Sequence, residues 1–248
     1  MGKMIRLDKF LADAGAGTRS EVKKMIQKGQ VQINGAVAKK PELKVDGDSD
    51  VVTLNGEVIG SLPEFEYYLL HKPGGCVSAT EDNYDETVMK YVPSNRKGLF
   101  PVGRLDKDTE GLLLITNDGM LAHELLSPKK HVDKTYFARV EGVVDEKDVE
   151  AMKNGVDIGE DKLTLPAELV IQSVNLEEET SEILLTIHEG KFHQVKRMME
   201  AVGKKVMYLK RLSMGPLTLP DDLEKGKCRP LTATEIEALK KKAKSLEK

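Results

Sequence analysis

The sequence predicts an α+β fold in two parts: a small head of two helices and a hairpin sheet, and a larger body on a largely antiparallel mixed sheet flanked by helices. Three observations carry this. Up to residue 60, apolar residues recur first at helical spacing and then alternate around Asn-Gly turns. Beyond residue 65, apolar strands dominate, with no long repeat and no βαβ alternation. Charge is also uneven: residues 1–40 carry nine Lys/Arg and three Asp/Glu, a net +6, which leaves −9 for the rest of a chain whose total is −3.

In the head, Leu7, Phe10, Leu11 and Ala14 share one helical face, and Gly15 and Gly17 end that helix. Thr18-Arg19-Ser20-Glu21 fits a capping box, opening a second helix with Val22, Met25 and Ile26 that Gly29 stops. Val31 and Ile33 then alternate as a strand. Asn34-Gly35 is the favoured two-residue hairpin turn, and Val37 lies on the return strand. Asp46-Gly47-Asp48 leads to a strand from Val51 to Leu54, and Asn55-Gly56 turns the chain again. The head spans 1–60, and residues 61–65, around Pro63, read as a linker.

The body is expected over 66–231. Glu66 to His71 is a strand ended by Lys72-Pro73-Gly74-Gly75, and Leu112 to Thr116 is an apolar strand closed by the turn Asn117-Asp118-Gly119. Thr135 to Val140 and Glu182 to His188 are further strands. Asp145 to Asn154 reads as a helix with Val149 and Met152 inward. Phe192 to Val202 reads as another, and Met198, Met199 and Met207 are expected in the core. Thr232-Ala233-Thr234-Glu235 caps a last helix, so 232–248 is a helix with a basic tail.

At 40% hydrophobic and 32% charged residues over 248 positions, the chain can build a packed core. Cys76 and Cys228 are isolated, which fits a reducing cytoplasm better than a disulfide scaffold or a zinc site. Met1 to Phe10 is charged and lacks an apolar signal core, and no apolar run approaches the ~20 residues of a membrane span. Tryptophan is absent and aromatics make up 4%, so stacking on a nucleobase must come from a few Tyr and Phe.

The basic head reads either as a solvated face or as a nucleic-acid contact. Arg19 and Lys23, and Lys24 and Lys28, are four apart and share faces at a cost of a few tenths of a kcal/mol, which an anionic partner would offset. Arg6-Leu7-Asp8-Lys9-Phe10-Leu11, then Thr18-Arg19-Ser20-Glu21, then Gly29 through Asn34-Gly35 resemble the S4 (αL-type) RNA-binding domain. The resemblance implies that Arg6, Lys9, Arg19, Lys23, Lys24 and Lys28 face structured RNA. It identifies a partner class and not a reaction.

Gly103-Arg104-Leu105-Asp106-Lys107-Asp108-Thr109-Glu110-Gly111 places a polar, Gly-bracketed loop before a buried strand. An Asp there is either a turn residue capping its own backbone or a catalytic group on a rigid scaffold. The wider stretch through Leu112-Leu113-Leu114-Ile115-Thr116-Asn117-Asp118-Gly119 resembles the catalytic motif of the pseudouridine synthases, in the branch of the ribosomal small-subunit enzymes. Lys72-Pro73-Gly74-Gly75, Lys134-Thr135-Tyr136 and Glu189-Gly190-Lys191-Phe192-His193-Gln194-Val195-Lys196-Arg197-Met198 resemble further motifs of that family, in order.

The resemblance implies breakage of the uridine N1–C1′ bond, rotation of the uracil and reattachment through C5. Nothing is oxidised and no group enters, so no metal or organic cofactor is expected. Asp106 is implied as the nucleophile, attacking either C1′ or C6. A carboxylate suits the role because it is ionised well above an intrinsic pKa of ~3.9. Burial beneath a base disfavours that charge, so a neighbouring cation is required. Lys196 is the implied cation; where relatives carry Arg, Lys offers a point charge without the fork. Tyr136 is implied against the uracil. Arg104, Arg197 and Lys72 are expected to contact RNA, Lys129-Lys130-His131 and Lys204-Lys205 less strongly. Without the motifs, a core Tyr and a solvated basic face are the plain readings.

His193-Gln194 favours 16S rRNA, at the uridine-516 type of site, over 23S rRNA, where relatives more often show Asn-Arg. The partner is therefore ribosomal RNA, free or within a small-subunit assembly particle, and nothing requires more than a monomer. The alternatives are the same chemistry on 23S rRNA and a non-catalytic rRNA-binding assembly factor.

Overall fold

A computed structural model describes residues 4–47, 49–59, 65–94, 96–127 and 130–245. Residues 61–64 of the expected linker, Gly60 before it, Asp48 of the first turn, Lys129 and the last three residues of the tail lie outside the described residues. The chain divides into two compact units, Met1–Glu64 and Phe65–Lys248.

The first unit runs β1 (Met4–Arg6), α1 (Leu7–Asp13), α2 (Arg19–Gln27), β2 (Val31–Ile33), β3 (Ala36–Ala38), β4 (Lys44–Asp46), β5 (Val52–Leu54) and β6 (Glu57–Ile59). The capping box of α2 is present, with Thr18 and Glu21 exchanging side-chain and backbone bonds. Asn34 and Gly35 both take positive φ, as do Asn55 and Gly56, which is what two-residue hairpins require. The four strands β3-β2-β5-β6 form one sheet, and β1 pairs separately with β4. Leu7, Phe10, Leu11, Val22, Ile26, Val31, Ala38, Val45 and Val52 close a single core.

The second unit contains β7 (Tyr67–Lys72), β8 (Phe100–Pro101), β9 (Glu110–Thr116), α3 (Gly119–Leu126), β10 (Lys134–Glu141), α4 (Glu146–Asn154), β11 (Glu168–Asn175), β12 (Thr180–Ile187), α5 (Gln194–Ala201), β13 (Lys205–Met214), β14 (Leu217–Thr218), β15 (Cys228–Pro230) and α6 (Ala233–Ser245). Their sheet runs β11-β12-β10-β13-β9-β7-β15, with β14 on β13 and β8 on β9. Only β13 with β9 is parallel among the described ladders.

Successive residues of β9 serve opposite faces. Leu113 and Ile115 join a core with Tyr136, Leu185, Val195 and Met198. Leu112 and Leu114 join another with Leu121, Leu125, Leu239 and Ala243. The last helix is thereby part of this unit.

Two expectations change here. Asp118-Gly119 does not merely turn the chain: the Asp118 carboxylate accepts from Leu121 N at 3.0 Å and caps α3. Met207 is 60% exposed rather than core, because β13 bulges there and leaves it without a partner on β10, while Met198 and Met199 are fully buried.

Candidate active site

The loop between β8 and β9 carries Asp106 and is held by bonds within it and from outside. Gly103 takes φ +76°, and Thr109 N donates to Asp106 O at 3.1 Å. The Ser78 hydroxyl donates to Leu105 O at 3.0 Å and accepts from Leu105 N at 3.1 Å. Gly75 N donates to Lys107 O at 2.7 Å. Beneath the loop lies Lys72, fully buried at the end of β7. Its ammonium donates to Pro73 O at 3.0 Å, Lys107 O at 3.2 Å and Thr109 O at 2.8 Å. Burial holds its pKa below the ordinary lysine value. Lys72 therefore cannot meet RNA, contrary to the sequence expectation. Three inward-facing carbonyls, two of them more than 30 residues along the chain, bind the charge instead.

Gly111 follows the loop with φ +107°, and a Cβ there would stand 2.2 Å from Arg211 O. Only glycine allows β9 and β13 to pair this closely.

Opposite the loop, α5 begins at His193, which adopts the left-handed conformation (φ 49°, ψ 33°). Buried Gln194 shapes this entry: it accepts from Lys191 N at 2.8 Å and donates to Glu189 Oε1 at 3.0 Å. Lys196 then projects from the first turn. Its Nζ is 3.1 Å from Asp106 Oδ2, and 2.7 and 2.9 Å from the two oxygens of Asp108. His193 Nε2 is 3.5 Å from Asp106 Oδ1. Burial would lower the Lys196 pKa, but the bonds to Asp108 and Asp106 outweigh it and raise the value. Burial would likewise raise Asp108, yet Lys196 holds it below the carboxylate range. Gly75, Asp106, Lys107, Asp108, His193 and Lys196 line an open cleft of about 440 Å³.

The structure thus brings Asp106 and Lys196 together. Tyr136, on β10, is buried in the apolar cluster that also holds Leu105 and Val195, the chain neighbours of Asp106 and Lys196. Its partner across the ladder is Arg211, whose Nε donates to Leu112 O at 2.8 Å. On the same strand, burial and the charge of Arg211 pull Lys134 down to about 8. Arg104 is exposed and without a protein partner among the described residues.

Arg197 departs from expectation. Its guanidinium donates to Glu160 Oε1 at 2.9 Å, to Phe192 O at 3.1 Å and to Ile158 O. These acceptors take the fork that was expected to hold phosphate, so Arg197 braces the entry to α5. Lys130 and Lys204 are likewise committed, to Glu124 and Asp148. Asp108, His193 and Ser78 join the site beyond the residues the sequence points to. The i, i+2 spacing of Asp106 and Asp108 within one loop was the available signal for Asp108.

In the head unit, Arg6 and Arg19 converge on the buried carboxylate of Asp8, at 3.0 and 3.8 Å, and Lys9 is 3.8 Å from Asp13. The hydrogen bond from Arg6 depresses the Asp8 pKa against the effect of burial. Lys23, Lys24 and Lys28 are exposed; Lys24 is near enough to Glu21 for their charges to interact, while Lys23 and Lys28 have no protein partner among the described residues.

Comparison with known proteins agrees with both units. Residues 66–201 match the family model of RNA pseudouridylate synthase, and residues 5–52 match that of the S4 domain. The chain is 40% identical to the ribosomal large subunit pseudouridine synthase B of Bacillus subtilis, covering 96% of each chain. It is also 40% identical to the ribosomal small subunit pseudouridine synthase A of Vibrio cholerae, covering 95% of this chain and 99% of the relative. A solved pseudouridylate synthase, 38% identical, superposes with a TM-score of 0.64 over 95% of this chain and 99% of its own.

Proposed function

The chain belongs to the RNA pseudouridylate synthase family and carries an S4 domain; from that premise we propose that it isomerises one uridine of 16S rRNA, with Asp106 as the nucleophile. The observation that carries the assignment is the Lys196 ammonium 3.1 Å from the Asp106 carboxylate, at the wall of a cleft able to admit an everted nucleotide. A fixed cation keeps the carboxylate ionised when a base covers it. Asp106 then attacks the ribose C1′ or the base C6, the N1–C1′ bond breaks, and the uracil turns. C5 then joins C1′, the bond from Asp106 to C1′ or C6 breaks so that the carboxylate is regenerated, the C5 proton leaves, and N1 takes a proton.

Tyr136 lies against the uracil, and its hydroxyl assists loss of the C5 proton. Arg104, exposed two residues before the nucleophile, takes RNA backbone or fills the gap left by the everted base. Lys23, Lys24 and Lys28 supply the phosphate contacts of the S4 domain. The free Lys and Arg groups of both units support an RNA-dominated partnership, with rRNA free or in an assembling particle.

His193-Gln194 favours the small subunit, with the uridine-516 type of site as the target. Equal identity to a large-subunit enzyme keeps 23S rRNA as a second reading. Mapping pseudouridine in both purified rRNAs after treatment with the protein separates the two: a new site in 23S alone overturns the preference. Asp106→Asn is expected to abolish isomerisation while leaving RNA affinity within about threefold. Product formed by that variant would refute the nucleophile.

A further inference from the structure

The chain holds five Phe, six Tyr and no Trp. Nine of these aromatic side chains are buried or half-buried. The two exposed ones are Tyr84 at 96% and Phe192 at 73%. Each is one residue from a group bonded to the Asp106 loop.

Phe192 lies flat on the His193 imidazole, with ring centroids 3.8 Å apart and planes 18° from parallel. Side chains adjacent in sequence diverge in a helix or a strand. The left-handed backbone of His193 is what lays these two together, at a cost of about 1 kcal/mol or more that the surroundings must sustain. The Arg197 bond to Phe192 O and the Gln194 bonds on either side of the turn fix this arrangement. The imidazole beneath the phenyl ring reaches Asp106 at 3.5 Å.

Tyr84 lies on another segment, next to Asp85, which holds Lys107 of the cleft wall. Asp82 accepts from Tyr84 N at 2.9 Å and from Asp85 N at 2.8 Å, forming an Asx turn. Asp85 in turn accepts from the Lys107 ammonium at 2.6 Å. The base of the loop is closed by Val77 N to Glu86 O and Val88 N to Val77 O. A phenol on a braced loop, bare to water, gains nothing for the fold from its apolar face.

Everting one nucleotide uncovers two base faces, one on each neighbour. Aromatic rings replace such stacks without regard to sequence, because every base has a π-face. We propose that Phe192, backed by His193, and Tyr84 are stacking shelves for the two bases that flank the everted uridine. The inference rests on the isomerase reading above and adds the binding of unpaired neighbouring bases to it.

The absence of tryptophan supplies a reporter. Phe192→Trp and Tyr84→Trp each give a single indole, whose emission should be quenched saturably by the rRNA transcript that the wild-type protein modifies. Phe192→Leu and Tyr84→Leu keep apolar bulk without a π-face. Each should raise KM roughly 5- to 100-fold, the equivalent of one base stack, with little change in kcat, because a shelf holds ground and transition states alike. Phe192→Tyr and Tyr84→Phe should restore KM, which loss of fold would not allow. Leucine variants with wild-type KM, or indole emission unmoved by an RNA the protein does modify, overturn the shelves alone. Failure of the wild-type protein to make pseudouridine in any rRNA overturns the isomerase reading, and the shelves with it.

Discussion

Replacing Lys72 by Met tests how the Asp106 loop is held. The methionine keeps most of the volume and removes the ammonium. Three charge-assisted bonds are lost, each worth about 1.5–3 kcal/mol net, and against that loss stands a desolvation cost of several kcal/mol relieved by removing a buried charge. Lys107 O keeps its bond from Gly75 N, whereas Thr109 O loses its ammonium partner, at about 1–3 kcal/mol. The net expectation is about 2–4 kcal/mol of destabilisation in the second unit, a fall of roughly 5–15 °C in melting temperature.

The loop then loses one of its supports, and a shift of about 1 Å at Asp106, the proposed nucleophile, should lower kcat on the order of 100-fold. KM and its salt dependence should not move, because Lys72 has no exposed surface. A lysine that bound phosphate would instead reduce the slope of log K against log salt by about 0.7–0.9. The assay is single-turnover release of tritium from C5-labelled uridine in rRNA, repeated across salt concentrations. A variant with kcat within about threefold of wild type and a shallower salt slope would refute the argument. Because burial lowers the Lys72 pKa in the folded state, this residue makes stability rise with pH from its folded value up to 10.5, and the variant should lose that rise.

Gly111→Ala should lower the stability of the second unit by more than about 4 kcal/mol in thermal melts, since its Cβ would lie 2.2 Å from Arg211 O at a backbone angle hostile to L residues; an unchanged melt would show that β9 and β13 can separate cheaply. Glu235 is held down to about 2, first by the Arg229 hydrogen bond and further by Thr232. Its folded pKa is depressed, so its stabilising contribution is present above 4.5 and lost as pH falls from 4.5 to about 2. That contribution is at most about 3 kcal/mol and smaller after solvent screening; Glu235→Gln should flatten that limb of a pH–melting series, and an unaltered limb would count against the pair.

Local chemistry was legible where a few neighbouring residues decide the outcome. Thr18 with Glu21, and Thr232 with Glu235, close the caps their spacing announces. Asn34-Gly35 makes its turn because both residues accept positive φ. Elsewhere the deciding contact comes from far along the chain. Asp118-Gly119 suits either a turn or a helix start, and the choice is fixed by α3 packing and by the Tyr67 hydroxyl, 51 residues away, which donates to Asp118 at 2.7 Å. Strand β13 is not legible from its sequence, because Lys205, Lys210 and Arg211 interrupt its alternation. It nevertheless lies inside the sheet, between β10 and β9. At the site, the ordered motifs pointed to Asp106 and Lys196, but no local pattern could show that Arg197 faces Glu160 rather than solvent.

Three lysines around one loop show why charge alone misleads. Lys107 is about half-exposed and bonds Asp85 on the surface. Lys196 is four-fifths covered and lies between two carboxylates. Lys72 is fully covered and bonds only carbonyl oxygens. Water sets the difference. An exposed pair is screened and contributes about 0–1 kcal/mol. A largely covered ammonium favours the ionised form of a carboxylate beside it, as Lys196 does for Asp108. A buried ammonium is tolerated only where enough dipoles converge on it, and for that reason it orders the backbone that supplies them. The same side chain therefore fastens a neighbouring loop at one depth, lies between Asp106 and Asp108 at the next and fixes the backbone of the Asp106 loop at the third. Depth, which depends on where distant carbonyls and carboxylates arrive, is the quantity that assigns each role.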